Sequence, residues 1–511
     1  MNVREESIGY GELALVSPYE IQILQDLTMT QTMNDHVRLS VTGIIPEDKK
    51  DSYLAIASNA DQIELNQVSE GQLVRPLFKG FVTEVAVRSV HDIYYIELEA
   101  VSQTFRLDIQ RKSRSFQDTS MKYSELIDLV LASYPGSDSI DNASMSTSLE
   151  NFVLQYKETD WQFLKRMASH FGSVLVAEVA ASSPKLWFGV PEGRIGELPD
   201  HTYRLKKNLS VYRRIISHER TRPLAENDVR TYVIESTQRL ALGDRVRLKG
   251  EELVVITSIA RMSQGVLVYE YHLTVEAGIR QAKTYLPSLS GVSLTGKVLE
   301  VAKTGIRLHL AIDAEQSKDK AIWFPLASPY TAEGHSGFYW SPEVGDTVHL
   351  AFPNREEKSG IVHQGIRKGG DSNPKMADHK VAYWGTPHGK ELKFDAQAIG
   401  ITAKEGAVFL KLHETEGIEV HSQQPLSLKA DQDLQFTGRR LTMNAGESMH
   451  FTCDASSLVL DGITDIQGDI VAMNGSLKAP ISLDEEAEGV DELELGLDVG
   501  GMIPLAGGAD G

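Results

Sequence analysis

Few side chains in this sequence of 511 residues have the types and spacing for chemistry. Asp461, Asp465 and Asp469 recur at four-residue intervals, and polysaccharide cleavage uses paired carboxylates about 5–10 Å apart in a groove. Their spacing puts them partly in chain corners, with little bulk nearby to wall a cleft, so turn formation is the better reading. Glu158 and Asp160 could make an acid/base pair, yet they stand where a helical pattern begins, and negative charge stabilises a helix N-terminus. His413, His421 and His450 read as surface histidines. The single Cys453 is in phase with Met449 and Phe451, which predicts a buried small hydrophobe rather than a nucleophile. A lone thiol excludes an intrachain disulfide framework and suits a reducing compartment. The sequence therefore predicts no catalytic residue, no cofactor and no metal ligand.

The stretch that would have to position most of these groups repeats about every eight residues. Its apolar anchors are Ile401, Leu410, Ile418, Leu426, Leu434, Leu441, Met449, Leu458 and Ile466, separated by 9, 8, 8, 8, 7, 8, 9 and 8 residues. Most units hold an apolar pair with one residue between, as in Leu410/Leu412, Ile418/Val420 and Leu434/Phe436. Period two means a strand with one buried face, and the Gly, Asn, Asp, Ser and Gln between pairs turn corners cheaply. Serial short strands without helices predict a solenoid or an interwound β-fibre. A lone thin chain cannot bury its apolar face or pair its strand edges. Three chains around one axis would do both, which makes these nine anchors candidates for a trimer core. A single-chain β-solenoid, acting as a polysaccharide-degrading or glycan-binding tailspike, is the alternative.

Composition sets the frame. The length suits three or four domains, and 41% hydrophobic with 24% charged residues is ordinary for a globular protein. The start Met-Asn-Val-Arg-Glu-Glu-Ser lacks a signal-peptide core, so synthesis in the cytoplasm is expected. The net charge of −20 argues against nucleic acid as a partner. From Thr386 to Gly511, 22 acidic against 8 basic residues give −14, so the shaft would stay soluble and resist lateral association.

Residues 1–285 read as two related β-barrels with inserted helices. Gly71-Gln-Leu-Val74-Arg75 is echoed by Gly243-Asp-Arg-Val246-Arg247, and each precedes a strand through Thr83 or Thr257 and then a tyrosine-bearing strand. A helix is predicted over Asp160–Phe171, capped by Thr159 with Gln162 completing the box and Gly172 stopping it. Its apolar face is Phe163, Leu164, Met167, Ala168 and Phe171. A second helix is predicted over Tyr123–Ala132 with Leu126, Leu129 and Val130 inward. Residues 286–385 form a neck, with strands at Ser293–Val301, Gly305–Ile312, Ala321–Pro325, Thr347–Phe352 and Gly360–Gln364 that suit an OB-type barrel. Oligonucleotide binding by such a barrel needs a basic groove with stacking aromatics. Phe338, Tyr339 and Trp340 cluster, but residues 291–367 hold 8 basic against 9 acidic residues, so a structural adaptor is the better reading. Residues 386–478 carry the octads. Residues 479–511 form an acidic, Gly-rich tail expected to be disordered in isolation, with Met502, Ile503, Pro504 and Leu505 as candidate tip-docking residues.

This order resembles the VgrG proteins and the hub-and-spike proteins of contractile phage tails, including Gram-positive phage-tail-like versions with a late control protein D-like hub. Tyr156-Lys-Glu-Thr-Asp160-Trp-Gln-Phe-Leu164 is similar to a Y-x-E-S/T-D-x-x-F-L segment of that hub. Pro342-Glu-Val-Gly345-Asp-Thr-Val348-His-Leu-Ala-Phe352 is similar to its OB strand, and Gly389-Lys390-Glu391-Leu392 resembles the segment leading into the spike. The resemblance implies a mainly β homotrimer linking a tail tube to a membrane-puncturing needle. Its implied partners are the tail tube protein, baseplate components, a PAAR-like tip protein or effector and, transiently, a target envelope. It also implies assembly at the tube tip of a phage-tail-like particle. Some relatives carry a lysozyme domain between OB barrel and spike, but the short stretch between Arg367 and Glu391 leaves no room for one. Some phage spikes end in a His-x-His iron site, a pattern this chain lacks. A metal on the threefold axis would need three copies of one His.

Overall fold

The computed structural model describes residues 7–197, 202–218, 225–303, 305–331, 337–365 and 374–472. The chain divides into two compact units, residues 1–373 and 374–511. Met502–Leu505 lie outside the described residues.

The first unit opens with strands β1 (Leu13–Val16), β2 (Ile23–Thr32) and β3 (Arg38–Ile44), a short helix α1 (Ser52–Ile56), then β4 (Gln62–Ser69), β5 (Gln72–Val90) and β6 (Ile93–Ser102). The insert follows as β7 (Arg111–Phe116), α2 (Tyr123–Leu131), β8 (Asp138–Asp141), β9 (Val153–Thr159), α3 (Asp160–His170), β10 (Leu175–Ala177) and β11 (Lys185–Phe188). The second half adds β12 (Ile195–Glu197), β13 (Tyr203–Lys207), α4 (Leu209–His218), β14 (Arg230–Ser236), β15 (Arg245–Leu248), β16 (Glu251–Ser263) and β17 (Val266–Thr274).

Twelve of these strands form one sheet, whose path runs β1-β4-β5-β6-β3-β2-β16-β17-β14-β13. The halves fuse because β2 pairs on one edge with β3 and on the other with β16, Thr28 to Thr32 facing Arg261 to Thr257. Alternation explains the shared core: Leu27, Met29, Leu39, Val41, Ile96 and Leu98 all point inward and are buried. The predicted internal echo is local. Both hairpins, β5–β6 and β16–β17, carry a bulge beside Thr83 or Thr257. Val74, however, lies in β5 itself, whereas Val246 lies in the separate strand β15, with a turn at Lys249-Gly250 before β16.

Helix α3 spans Asp160–His170, with Thr159 accepting from the Gln162 amide and Gln162 answering on the Thr159 amide. Helix α2 buries Leu126, Ile127 and Val130, but Leu129, expected inward, is half exposed because Ile127 takes the inward position.

The neck strands are β18 (Ser293–Ala302), β19 (Gly305–Leu310), β20 (Trp323–Phe324), β21 (Thr347–Ala351) and β22 (Ile361–Gly365), in the order β20-β19-β18-β21-β22. The Val362 amide donates to the Pro325 carbonyl and the Ala327 amide to the Val362 carbonyl, which brings the two ends of the sheet together. The barrel core of Leu294, Val298, Ile306, Leu308, Leu350 and Phe352 also takes Phe152 and Leu154 from the hub.

The second unit holds a five-stranded antiparallel meander, β23 (Ala382–Gly385), β24 (Glu391–Phe394), β25 (Ala398–Lys404), β26 (Val408–His413) and β27 (Gly417–Ser422). A separate three-stranded meander follows, β28 (Met449–Cys453), β29 (Ser456–Leu460) and β30 (Thr464–Gln467). Six of the nine octad anchors lie in strands. Leu426, Leu434 and Leu441 do not, because residues 423–448 run without a strand partner among the described residues.

Candidate functional site: the joint between hub and neck

The hub segment from β9 into α3 is where the first unit concentrates buried charge. Asp160 is wholly buried at the first helical position. Its carboxylate accepts from Lys112 Nζ at 2.7 Å, Arg114 Nη2 at 2.7 Å, Tyr134 Oη at 2.7 Å and Gln155 Nε2 at 3.0 Å. A buried carboxylate survives only when so satisfied. The expectation that Glu158 and Asp160 serve the helix end alone is therefore too small. Thr159 and Gln162 do the capping, while the two carboxylates anchor cations from other elements.

Glu158 receives Arg166 Nε at 2.9 Å and Nη2 at 2.8 Å, and Arg166 Nη2 also donates to the Leu154 carbonyl at 2.6 Å. The remaining guanidinium nitrogen, Nη1, reaches Glu357 Oε1 of the neck at 2.7 Å. All three charged residues are buried. Burial alone would lower the Arg166 pKa, but the Glu357 and Glu158 carboxylates outweigh it and the net shift is upward. Arg166 thus stays charged and ties three segments together.

Two further ties run parallel to this one. The Ser115 amide and hydroxyl donate to the two carboxylate oxygens of Asp313 at 2.6 and 2.5 Å. Burial holds the Asp313 carboxyl above its ordinary value, against the lowering effect of those two bonds. Gln117 donates to the Leu308 carbonyl at 3.2 Å and accepts from the Ile322 amide at 3.4 Å. Between the ties, Phe152 packs edge-on to Phe324 at 5.1 Å and stacks with Phe352 at 6.1 Å. The joint is a buried apolar contact bounded by charge-assisted bonds. It can transmit force and hold orientation.

The residues considered for catalysis do not converge. Asp461, Asp465 and Asp469 are exposed, and the groove beside them, lined by Phe451, Cys453, Leu458 and Ile470 among others, has no carboxylate in its wall. His421 stacks on Phe409 at 5.2 Å, His413 accepts from the amides of Thr415 and Glu416, and His450 lies 2.9 Å from Ser448. Among the described residues no group of three or more His, Cys, Asp or Glu side chains is arranged to hold a metal ion. Cys453 shares a face with Met449 and Phe451 but is exposed, so its predicted burial is not met within one chain. Phe338 and Trp340 stack at 6.2 Å beside a groove of about 500 Å³ that, among the described residues, has Lys303 as its basic lining residue.

The octad anchors come together as a face. Cross-strand partners Leu392↔Ile401, Ile401↔Leu410 and Leu410↔Val420 form one row, and Phe394↔Ile399, Ile399↔Leu412 and Leu412↔Ile418 form the next. Rows two residues apart share a face, so eight apolar side chains line one side of the meander. Ile401, Ile418 and Val420 remain 48%, 72% and 56% exposed. The second meander repeats the pattern with Phe451↔Leu458 and Leu458↔Ile466.

Residues 56–248 match the family model of the phage tail baseplate hub. Residues 294–366 match that of the type VI secretion system/phage-baseplate injector OB domain. The chain thus carries a baseplate-hub segment and an injector OB domain and is a VgrG-like structural component of a phage tail or type VI secretion system. Among solved structures, it is similar to the E. coli c3393 protein, a type VI secretion component described as resembling the T4 tail proteins gp27 and gp5. Identity is 14% over 69% of this chain and all of that one, with a TM-score of 0.49. The Francisella PdpA–VgrG complex matches at 11% identity over 78% of this chain and 76% of that one, TM-score 0.49. The 43 kDa tail protein of prophage MuSo2 from Shewanella oneidensis matches at 11% over 53% of this chain and 99% of that one, TM-score 0.40. A comparison with curated proteins finds no match.

Proposed function

We propose that the protein is the central hub and spike of a contractile injection machine and works as a homotrimer. Residues 1–285 form the hub beneath the tail tube, residues 286–385 the neck, residues 386–478 an interwound β-prism and residues 479–511 a tail that engages the tip. When the sheath contracts, the prism is driven through a target envelope, and the joint at Arg166 and Glu357 passes the load from hub to neck. The action is mechanical, with no catalytic residue, metal, cofactor or nucleic acid required. Tail tube and baseplate proteins are the partners at the hub, and a PAAR-like tip protein or effector is the partner at Met502–Leu505.

The observation that carries this reading is the uncovered apolar face from Leu392 to Val420. Burying a side chain such as Ile or Val gives about 1.5–3 kcal/mol, and a contiguous exposed patch of this kind marks an interaction surface. Three copies facing one axis would cover it and would also give strand partners to residues 423–448. Native mass of the full chain tests the assembly. A species near three times 56.5 kDa supports it, and a monomer at micromolar concentration overturns it.

A further inference from the structure

Among the described residues the main path of the hub sheet ends in β1, paired with β4, and in β13, paired with β14, while β12, off that path, pairs with β15. Beyond β1 lies an open groove of about 680 Å³ shared with the start of β2, lined by Tyr10, Leu13, Leu15, Ile21, Ile23 and Leu24. Val16 and Ile23 at this end are more than half exposed. At the other end every residue of β13 is exposed, and Leu205 and Leu209 present apolar surface to solvent. Unpaired strand edges with exposed apolar side chains invite another chain.

The two ends carry opposite charge. Residues 5–37 contain six acidic residues and no Lys or Arg, with Glu12, Glu20 and Asp26 on or beside the groove. Residues 201–218 contain five Lys or Arg and no acidic residue, with Arg204, Lys206, Lys207 and Arg213 exposed on β13 and α4. Such complementarity steers and registers a contact, and an apolar centre inside a charged rim is the usual anatomy of an interface.

We infer that β13 and α4 of one copy dock along the β1–β2 groove of the next copy. The contact joins two different patches, so it runs head to tail, the geometry from which a closed ring is built when the rotation permits. That the ring closes at three rests on the trimer proposed above. The hub would then bring its own assembly contact, separate from the one in the spike.

Carbodiimide cross-linking, which joins an amine to a carboxylate only at ion-pair distance, tests the docking. Two differently tagged full-length copies are co-expressed, one with Lys206→Gln and Lys207→Gln, the other with Glu12→Gln, Glu20→Gln and Asp26→Gln. Neither copy can make the link within itself or with its own kind. The expected result is a cross-linked peptide pair joining Lys206 or Lys207 of the second copy to Glu12, Glu20 or Asp26 of the first. The pair is lost when both copies carry the lysine substitutions. The Lys207–Glu226 ion pair, 3.2 Å apart within one chain, serves as the positive control. A complex of trimeric mass that shows the control link but not the inter-copy link overturns the docking and leaves the trimer standing. A mass of 56.5 kDa overturns both.

Discussion

Arg166 Nη1 and Glu357 Oε1 meet at 2.7 Å although 191 positions separate them in the chain. The same guanidinium holds Glu158 and the Leu154 carbonyl, so one hub side chain fixes the neck, the strand β9 and the helix on which it sits.

Removing one partner of this buried pair leaves the other uncompensated. Glu357→Ala is expected to lower the stability of the joint by about 3–5 kcal/mol. Replacing Arg166 and Glu357 together by apolar residues is expected to cost less than the sum of the single changes. Denaturant unfolding of the full chain, followed as a double-mutant cycle, measures the difference.

Phe152 belongs by sequence to the hub and by packing to the neck. Phe152→Ala is expected to cost about 3–5 kcal/mol and to loosen the OB barrel before the hub sheet. Limited proteolysis checks this: early cleavage should fall in residues 290–365, and cleavage confined to the hub would contradict the shared core.

His36 gives the hub an acid-sensitive point. It is buried against Trp161 at 4.3 Å and edge-on to Phe105, with Nδ1 2.9 Å from Thr104 Oγ1 and Nε2 3.5 Å from Asp108 Oδ2. Burial pushes it down to about 4, with Asp108 and Asp35 pulling upward and Arg38 adding to the fall. Between pH 6.5 and about 4 the unfolded chain binds a proton that the folded hub refuses, so stability drops as pH falls through that window. His36→Gln should flatten that part of a stability–pH profile.

The neck has a backbone constraint at the β19 start. Gly305 has φ +152°, and a Cβ there would lie 2.2 Å from the Phe324 carbonyl oxygen. Gly305→Ala is expected to separate β19 from β20 at a cost of about 1–3 kcal/mol, read as a lowered unfolding midpoint.

On the β23–β27 meander, Ile418→Asp with Val420→Asp places carboxylates on the uncovered face. The mass of the proposed trimer should give way to lower species while the rest of the chain stays folded by circular dichroism, and a trimer unchanged by the substitutions would locate the contact elsewhere.

The sequence by itself determined what depends on near neighbours. The Thr159/Gln162 box and the 3.6-residue apolar rhythm specified α3, and alternation placed each neck strand within about two residues of its observed ends. The octad rhythm marked one apolar face, because side-chain direction in a strand depends only on parity. Arg166 was also a legible signal, a cation set among Phe163, Leu164, Met167 and Ala168 on a buried helical face, which demands a partner.

Which partner answers Arg166 was decided by tertiary structure alone. Glu357, Asp313 and Phe152 act across 150 to 200 residues of chain, and no local pattern encodes which distant carboxylate or ring comes to rest there. The same holds for the fusion of both hub halves through β2 and β16, since strand order follows from which edges meet. Leu129 faces outward because it falls off the helical stripe formed by Tyr123, Leu126, Ile127, Val130 and Leu131, which share one face. Leu426, Leu434 and Leu441 have strand-forming parity yet no strand, because a strand needs a hydrogen-bonding neighbour and the described residues of their chain offer none.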